Sequence, residues 1–361
     1  MLRITRWFGV ALILCAAAVS LLTSTSVNAG GAYPPSMAWS PDGQYIVYAP
    51  YGARGPRIFD RDGQQVKYVE LEAQVWNPTW SPDSRQIAFL TNEPALRLMD
   101  VGAEESEILL EHSFGSAQLH WSNDGAWIAI NEYASEGSVY LIATDGSSVE
   151  RIGIEKAYFV GWSPAGAHYL LWQNDVLYVG ALGETALTPL HDEQFKAHVF
   201  AQWSADGSRI AMTLIDAETE VLDIFTVDVD GENLERITTG QNAFAVGWSA
   251  EDAGIVYVTN NDRVQDLWIT ELASGEVRNL TGTGAFGFNT VYLTHDRRLA
   301  VFYRIGLHVL RLEDGESREI DGGIFALAPD TNLLAVQHPA KNDIIRIVSL
   351  DDLWDTSDNV P

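Results

Sequence analysis

A tryptophan followed by serine returns at a fixed interval along this chain, and that interval leaves few folds open. Trp39-Ser40-Pro41-Asp42-Gly43 recurs as Trp80-Ser81-Pro82-Asp83-Ser84, Trp121-Ser122-Asn123-Asp124-Gly125 and Trp162-Ser163-Pro164-Ala165-Gly166. It recurs again at Trp203-Ser204-Ala205-Asp206-Gly207 and Trp248-Ser249-Ala250-Glu251-Asp252. The first five tryptophans are each 41 residues apart and the next gap is 45. Tyr292-Leu293-Thr294-His295-Asp296 keeps the register with another aromatic, and Leu327-Ala328-Pro329-Asp330 keeps only the turn. Seven residues after each anchor stands an apolar pair, from Ile46-Val47 to Leu334-Ala335. The array has eight repeats.

Each repeat reads as four short strands separated by turn residues. In the fifth, one strand ends at Trp203, others cover Ile210–Leu214 and Asp223–Val229, and Asp230-Gly231 leads into Leu234–Thr238. Asp-Gly hairpin signals also stand at Asp62-Gly63, Asp145-Gly146 and Asp314-Gly315, where glycine supplies the positive φ of a tight hairpin. A period in the low forties with four strands per unit predicts an all-β propeller, because one such sheet cannot bury both faces alone. We expect a single domain over residues 30–361 with four-stranded blades starting near 36, 77, 117, 158, 199, 244, 288 and 323. Seven blades plus an appended strand pair is the alternative. The last repeat is expected to take its fourth strand from around Ala32 and Tyr33. The anchors Trp39, Trp80, Trp121, Trp162, Trp203 and Trp248 are expected to fill the space between blades, where a large apolar ring counts most.

Arg3 and Arg6 precede a charge-free apolar run, Trp7 to Leu22, and Val27-Asn28-Ala29 has the small-x-small form of a signal-peptidase site. The run has 16 residues, short of the roughly 20 that span a bilayer. Residues 1–29 therefore read as a cleaved signal peptide. The mature chain is expected to be secreted or periplasmic, monomeric, and not an integral membrane protein. Cys15, the sole cysteine, lies in that run, so disulfides and thiolate metal sites are excluded from the mature chain. The chain carries 49 acidic against 22 basic side chains, a formal net charge of −27. Such a surface repels phosphate backbones and excludes nucleic acid as a partner.

The Trp-Ser-Pro-Asp-Gly phrase followed by an apolar pair resembles the TolB-type, WD-repeat-like bacterial propellers. Leu234-Glu235-Arg236-Ile237-Thr238 and Val277-Arg278-Asn279-Leu280-Thr281 are similar to the Arg-Leu-Thr segment that precedes each blade in that family. The resemblance runs from about Ser36 onward and implies a propeller with a binding role. It names no partner, since propellers of this kind serve as envelope scaffolds, accessory domains and enzyme platforms. TolB proteins also carry an N-terminal α/β domain and fewer blades, and neither feature matches.

No catalytic motif stands out. Gly161-Trp162-Ser163-Pro164-Ala165-Gly166 is one residue too long for a nucleophile elbow, and Ser163 is expected to accept a backbone hydrogen bond in its turn. The histidines lack ligand spacing. His120 and Gln202 sit beside anchors on innermost strands and are the channel candidates; packing or water is the structural reading for His120. Asp228–Asn233 has alternating oxygen ligands, but position twelve of a calcium loop would be Thr239 where a glutamate is needed. It and Asp60–Gly63 read as hairpins, and neither a metal nor a cofactor is expected.

The loops joining second to third strands, and those leading into each first strand, should share one face of the disc. Tyr51, Arg54, Trp76, Phe114, Tyr133, Tyr158, Trp172, Phe195, Arg263, Phe286 and Lys341 would gather there. Aromatics mixed with arginine are what binding surfaces use, although any one of them can instead pack between blades. The sequence therefore predicts a non-enzymatic module that binds a protein or cell-envelope component. The alternative is a lyase or hydrolase acting on a glycan or peptide at the channel, using groups such as His120, Gln202 and Lys156.

Overall fold

Short runs of β-branched and aromatic residues, broken every few positions by a turn, fold into antiparallel meanders. The computed structural model describes residues 36–50, 52–114, 117–132, 138–154, 157–261, 264–281, 291–303, 306–322, 325–329, 331–337 and 344–354. They form eight antiparallel sheets, seven of four strands and one of three, each paired in chain order. Blade 1 consists of Ser36–Trp39, Tyr45–Ala49, Arg57–Asp60 and Gln65–Tyr68. The innermost strands of blades 2 to 8 are Val75–Trp80, Ala117–Trp121, Ala157–Trp162, Phe195–Trp203, Ala243–Trp248, Val291–Leu293 and Phe325–Leu327. The protein is an eight-bladed β-propeller, and the seven-bladed alternative gives way to it.

The ring closes between blades 8 and 1. Met37, Trp39, Ile46 and Tyr48 pack against Ala326, Ala335 and Ile345. Trp39 Nε1 donates to the Ala326 carbonyl at 3.0 Å, and Gln337 Nε2 donates to the Tyr48 hydroxyl at 2.8 Å. Blade 8 has three strands among the described residues. The stretch around Ala32 and Tyr33, expected to add a fourth, lies outside them, as does the whole signal segment.

The Ser-x-Asp turn explains why the motif repeats. Ser40 Oγ donates to Asp42 Oδ1 at 2.6 Å and accepts the Tyr45 N–H at 2.9 Å, so one hydroxyl fixes both ends of the turn. Ser81, Ser122, Ser204 and Thr294 repeat the pair with their own aspartates. At Ser163, where alanine replaces the aspartate, the hydroxyl still accepts the His168 N–H at 3.1 Å. Hydrogen bonds from Ser204 and then Ser208 hold the Asp206 carboxyl down at about 2. The hairpin glycines meet a second demand besides positive φ. A Cβ on Gly315 would come within 2.2 Å of the Leu280 carbonyl oxygen of blade 6, and one on Gly231 within 2.8 Å of Pro189 O of blade 4.

Candidate functional site

The residue just before an anchor can reach the next blade. Gln202 shows this most clearly. Its Oε1 accepts the Trp248 N–H at 3.1 Å, and its carbonyl accepts Trp248 Nε1 at 3.1 Å. Gly247 makes room for it, since a Cβ there would lie 2.3 Å from Gln202 Oε1. Gln202 is thus a fixture between blades 5 and 6.

His120 occupies the same register one blade pair earlier. It is 5 % exposed, lies 5.4 Å from the Phe159 ring, and its carbonyl accepts Trp162 Nε1 at 3.0 Å. Neither ring nitrogen has a hydrogen-bond partner among the described residues. Desolvation pushes its pKa down to about 4, so the imidazole is neutral near pH 7. The two channel candidates therefore sit on innermost strands as expected, but each is engaged with the following blade.

Two further residues, which sequence reasoning did not single out, span the same pair of seams. Asn131 Nδ2 donates to the Phe159 carbonyl at 2.7 Å while its Oδ1 accepts the Phe159 N–H at 2.5 Å. Thr213 Oγ1 accepts the Ala245 N–H at 3.1 Å. Both stand ten residues after their anchor, where most other blades carry an apolar side chain, and that register is the signal that could have found them.

On the loop face the expected residues separate into three groups. Trp76 and Phe114 are 2 % and 5 % exposed and belong to the apolar core between blades 2 and 3. Neither offers the exposed ring that a binding role needs. Arg54 is exposed on blade 1, and its carbonyl accepts the Leu71 N–H at 2.6 Å. Tyr158 and Trp172 are cross-strand partners on blade 4, half-buried, with ring centroids 5.3 Å apart. Trp172 Nε1 reaches blade 5 at the Ala197 carbonyl, 2.7 Å away. Phe195, also half-buried, lies 4.9 Å from the Phe225 ring. The structure thus brings Tyr158, Trp172 and Phe195 to one seam of the loop face and leaves Arg54 on another blade. Tyr51, Tyr133, Lys156, Arg263, Phe286 and Lys341 lie outside the described residues.

The remaining motifs are structural. Asp228–Gly231 closes as a hairpin, with Gly231 N donating to Asp228 O at 2.9 Å and Asn233 Nδ2 to Asp228 Oδ2 at 2.7 Å. The Arg-Ile-Thr segment latches the outer strand of blade 5. The buried Asp223 accepts Arg236 Nη2, Thr238 Oγ1 at 2.8 Å and the Gly240 N–H at 2.9 Å. Thr238 Oγ1 accepts the Ile224 N–H, Thr281 Oγ1 accepts that of Leu267, and in blade 4 His191 Nε2 takes the Leu177 N–H at 3.2 Å. Burial lowers the His191 pKa against the pull of Asp192, which suits an imidazole serving as acceptor. Among the described residues, no group of three or more His, Cys, Asp or Glu side chains is placed to hold a metal ion.

No family model matches the chain, and no curated protein matches it. Solved structures do. An oligogalacturonate lyase in complex with manganese is 11 % identical over 85 % of this chain and 86 % of that one, with a TM-score of 0.50. The oligogalacturonate lyase of Vibrio parahaemolyticus is 11 % identical over 86 % of each chain, again at 0.50. TolB from Acinetobacter baumannii is 19 % identical over 68 % of this chain, with a TM-score of 0.39, and the match spans 64 % of that protein. At these identities the likeness is one of fold: a β-propeller similar to TolB and oligogalacturonate lyase propellers.

Proposed function

We propose that this protein is a non-enzymatic, extracytoplasmic propeller that holds a protein or cell-envelope component on its loop face, around blades 4 and 5. The observation that carries the reading is the half-exposed Tyr158–Trp172 pair with Phe195 on the adjoining blade. Rigid aromatic rings supply contact area at low entropic cost. Gln202 supports it further, since its side-chain oxygen is spent on the Trp248 N–H between blades 5 and 6. Export by the N-terminal segment and a monomeric mature chain complete the reading.

The test is a photo-crosslinking amino acid placed at Tyr158 and, in a second variant, at the exposed Asp145 on the opposite face. The expected outcome is one envelope component captured from Tyr158 and not from Asp145. Capture of the same species from both, or of none, defeats the assignment. The alternative is a lyase or hydrolase at the channel, and the lyase propellers give it a first substrate to try. Unsaturated product released from oligogalacturonate by the purified protein would replace the binding reading.

A further inference from the structure

The turn face carries a cleft of about 530 Å³ where the indole anchors run out. Ser249 and Ala250 of blade 6, the blade 7 turn, Asn332 of blade 8 and the segment from Leu350 to Trp354 enclose it. Its apolar part is Ile269, Leu299, Leu312 and Leu350. Trp354 lies at one side, under the Arg311 guanidinium at 5.0 Å.

Four arginines line this cleft: Arg278, Arg297, Arg298 and Arg311. The acidic surface is interrupted here, because between Val291 and Ile320 five arginines balance five carboxylates. The four are not equivalent. Arg297 is committed to blade 6, pairing with Asp252 at 2.5 Å and donating to the Ser249 carbonyl at 3.3 Å. Arg311 is held by Asp314 at 2.5 Å and by Glu316 at 2.9 Å. Arg278 donates to the Glu313 carbonyl at 3.0 Å, is 38 % exposed, and stands 4.0 Å from Glu271. Arg298 is exposed, and its guanidinium makes no hydrogen bond or close ion pair among the described residues, although its charge acts on Asp296; its N–H donates to Asp296 at 3.0 Å and its carbonyl accepts the Leu312 N–H at 2.9 Å.

Two of the four carboxylates that line the cleft have neutral donors, while Glu271 faces Arg278 at 4.0 Å and Glu313 is the fourth. Asp296 accepts Thr294 Oγ1 at 2.7 Å and Asn332 Nδ2 at 3.1 Å, and Asp351 accepts Asn332 Nδ2 at 2.8 Å. Two guanidinium forks, one on blade 6 and one on blade 7, are left with donor capacity above an apolar floor.

We propose that this cleft binds a small organic anion, its carboxylate or phosphate group held by Arg278 and Arg298 and its remaining atoms over Leu299 and Leu312. A planar guanidinium matches either oxyanion bidentately. The net charge of −27 keeps such a ligand off most of the remaining surface.

Calorimetry on the full mature chain at low salt tests this with three probes: glucuronate, inorganic phosphate and uncharged glucose. The expected result is saturable heat with glucuronate or phosphate and none with glucose, and the better anion identifies the preferred group. Arg298→Gln and Arg278→Gln should each weaken binding about tenfold, the scale of one lost charge-assisted contact. Arg85→Gln, on an 84 % exposed side chain of the blade 2 turn, should leave it unchanged. Thermal melts of each variant separate lost binding from lost fold. No heat with either anion, binding that survives both cleft substitutions, or equal loss with Arg85→Gln overturns the proposal.

Discussion

Between blades 3 and 4 the anchor indole of Trp162 reaches the His120 carbonyl at 3.0 Å, whereas between blades 2 and 3 the indole N–H of Trp121 has no partner among the described residues. The contrast repeats one blade pair on. Trp248 bonds to Gln202 across the seam between blades 5 and 6, and Trp203, between blades 4 and 5, is without an acceptor. The bonded seams carry small residues such as Ala129, Ala157, Ala211 and Ala243 beside Asn131 and Thr213. The others are filled by Leu90, Leu96, Leu119 and Ile130, or by Ile210, Met212 and Leu214. The indole is needed at both kinds of seam for its volume. Its hydrogen bond is a separate contribution, made at these two polar-latched seams and also by Trp80, which donates to the Ala38 carbonyl at 3.0 Å across the apolar seam between blades 1 and 2. The leucine-rich seams also have polar contacts, Asn77 Nδ2 donating to the Ala117 carbonyl and Trp172 Nε1 to that of Ala197, but their indole anchors take no part; where the anchor itself is bonded, register is required, since each buried donor must meet its acceptor.

The strongest way to break this comparison is Asn131→Leu. It removes the amide and strands the buried Phe159 N–H and carbonyl together, at about 1–3 kcal/mol for each orphaned group. We expect a loss of about 3 kcal/mol in unfolding free energy, read as a lower denaturation midpoint with little change in the denaturant slope. A leucine already occupies this register as Leu90 in blade 2, so a loss below roughly 0.5 kcal/mol would show the two seams to be equivalent.

His120 sharpens the comparison through pH. Its folded pKa of about 4 lies below the ordinary histidine value near 6.5, so the unfolded chain takes up the proton first. The stability tied to a neutral His120 is complete above pH 6.5 and drains away as pH falls toward 4. About 3 kcal/mol is at stake, by the usual conversion of a shift of this size. His120→Leu should remove the His120 share of the loss across that window, leaving that of His191, and leave the profile near neutrality unchanged. Carboxylates held near 2, such as Asp206 and Asp314, act only at lower pH and do not obscure the result.

Much of this was legible in the sequence, for physical reasons that also mark where legibility stops. A 41-residue tryptophan interval reports a space that every blade must fill, and Asp-Gly pairs report a positive φ; both are local demands, so eight blades could be counted from the chain. Burial on the loop face is not local. Trp76 turns inward where the inner strand of blade 2 bulges between Trp76 and Thr79, with Asn77 at a φ of 50°, and a register slip reverses which face a side chain meets. Asn131, Thr213 and Gln337 share one register, and each bonds to the next blade, a pattern that only the ring brings together. The arginine cleft follows from absences, the missing indoles of blades 7 and 8, and a motif search scores those as degeneracy.

The finest distinction is between two tryptophans of similar burial and different bonding. Trp248 is 0 % exposed and Trp203 is 6 % exposed. Replacing either by phenylalanine removes the same atoms and opens a similar cavity, so the volume costs should nearly cancel in the difference. What remains is the indole N–H. In Trp248→Phe the Gln202 carbonyl loses its donor, while in Trp203→Phe a buried N–H without a partner is removed, which offsets part of the cavity cost. The Trp248 variant should therefore lose about 1–2 kcal/mol more than the Trp203 variant, the worth of one net hydrogen bond plus relief of one unmet donor. Gln202→Leu retains the backbone acceptor, so combining it with Trp248→Phe tells the side-chain latch from the carbonyl bond. Equal losses at Trp203 and Trp248 would mean that the indole N–H contributes nothing at either seam, and packing alone would then set the stability of the ring.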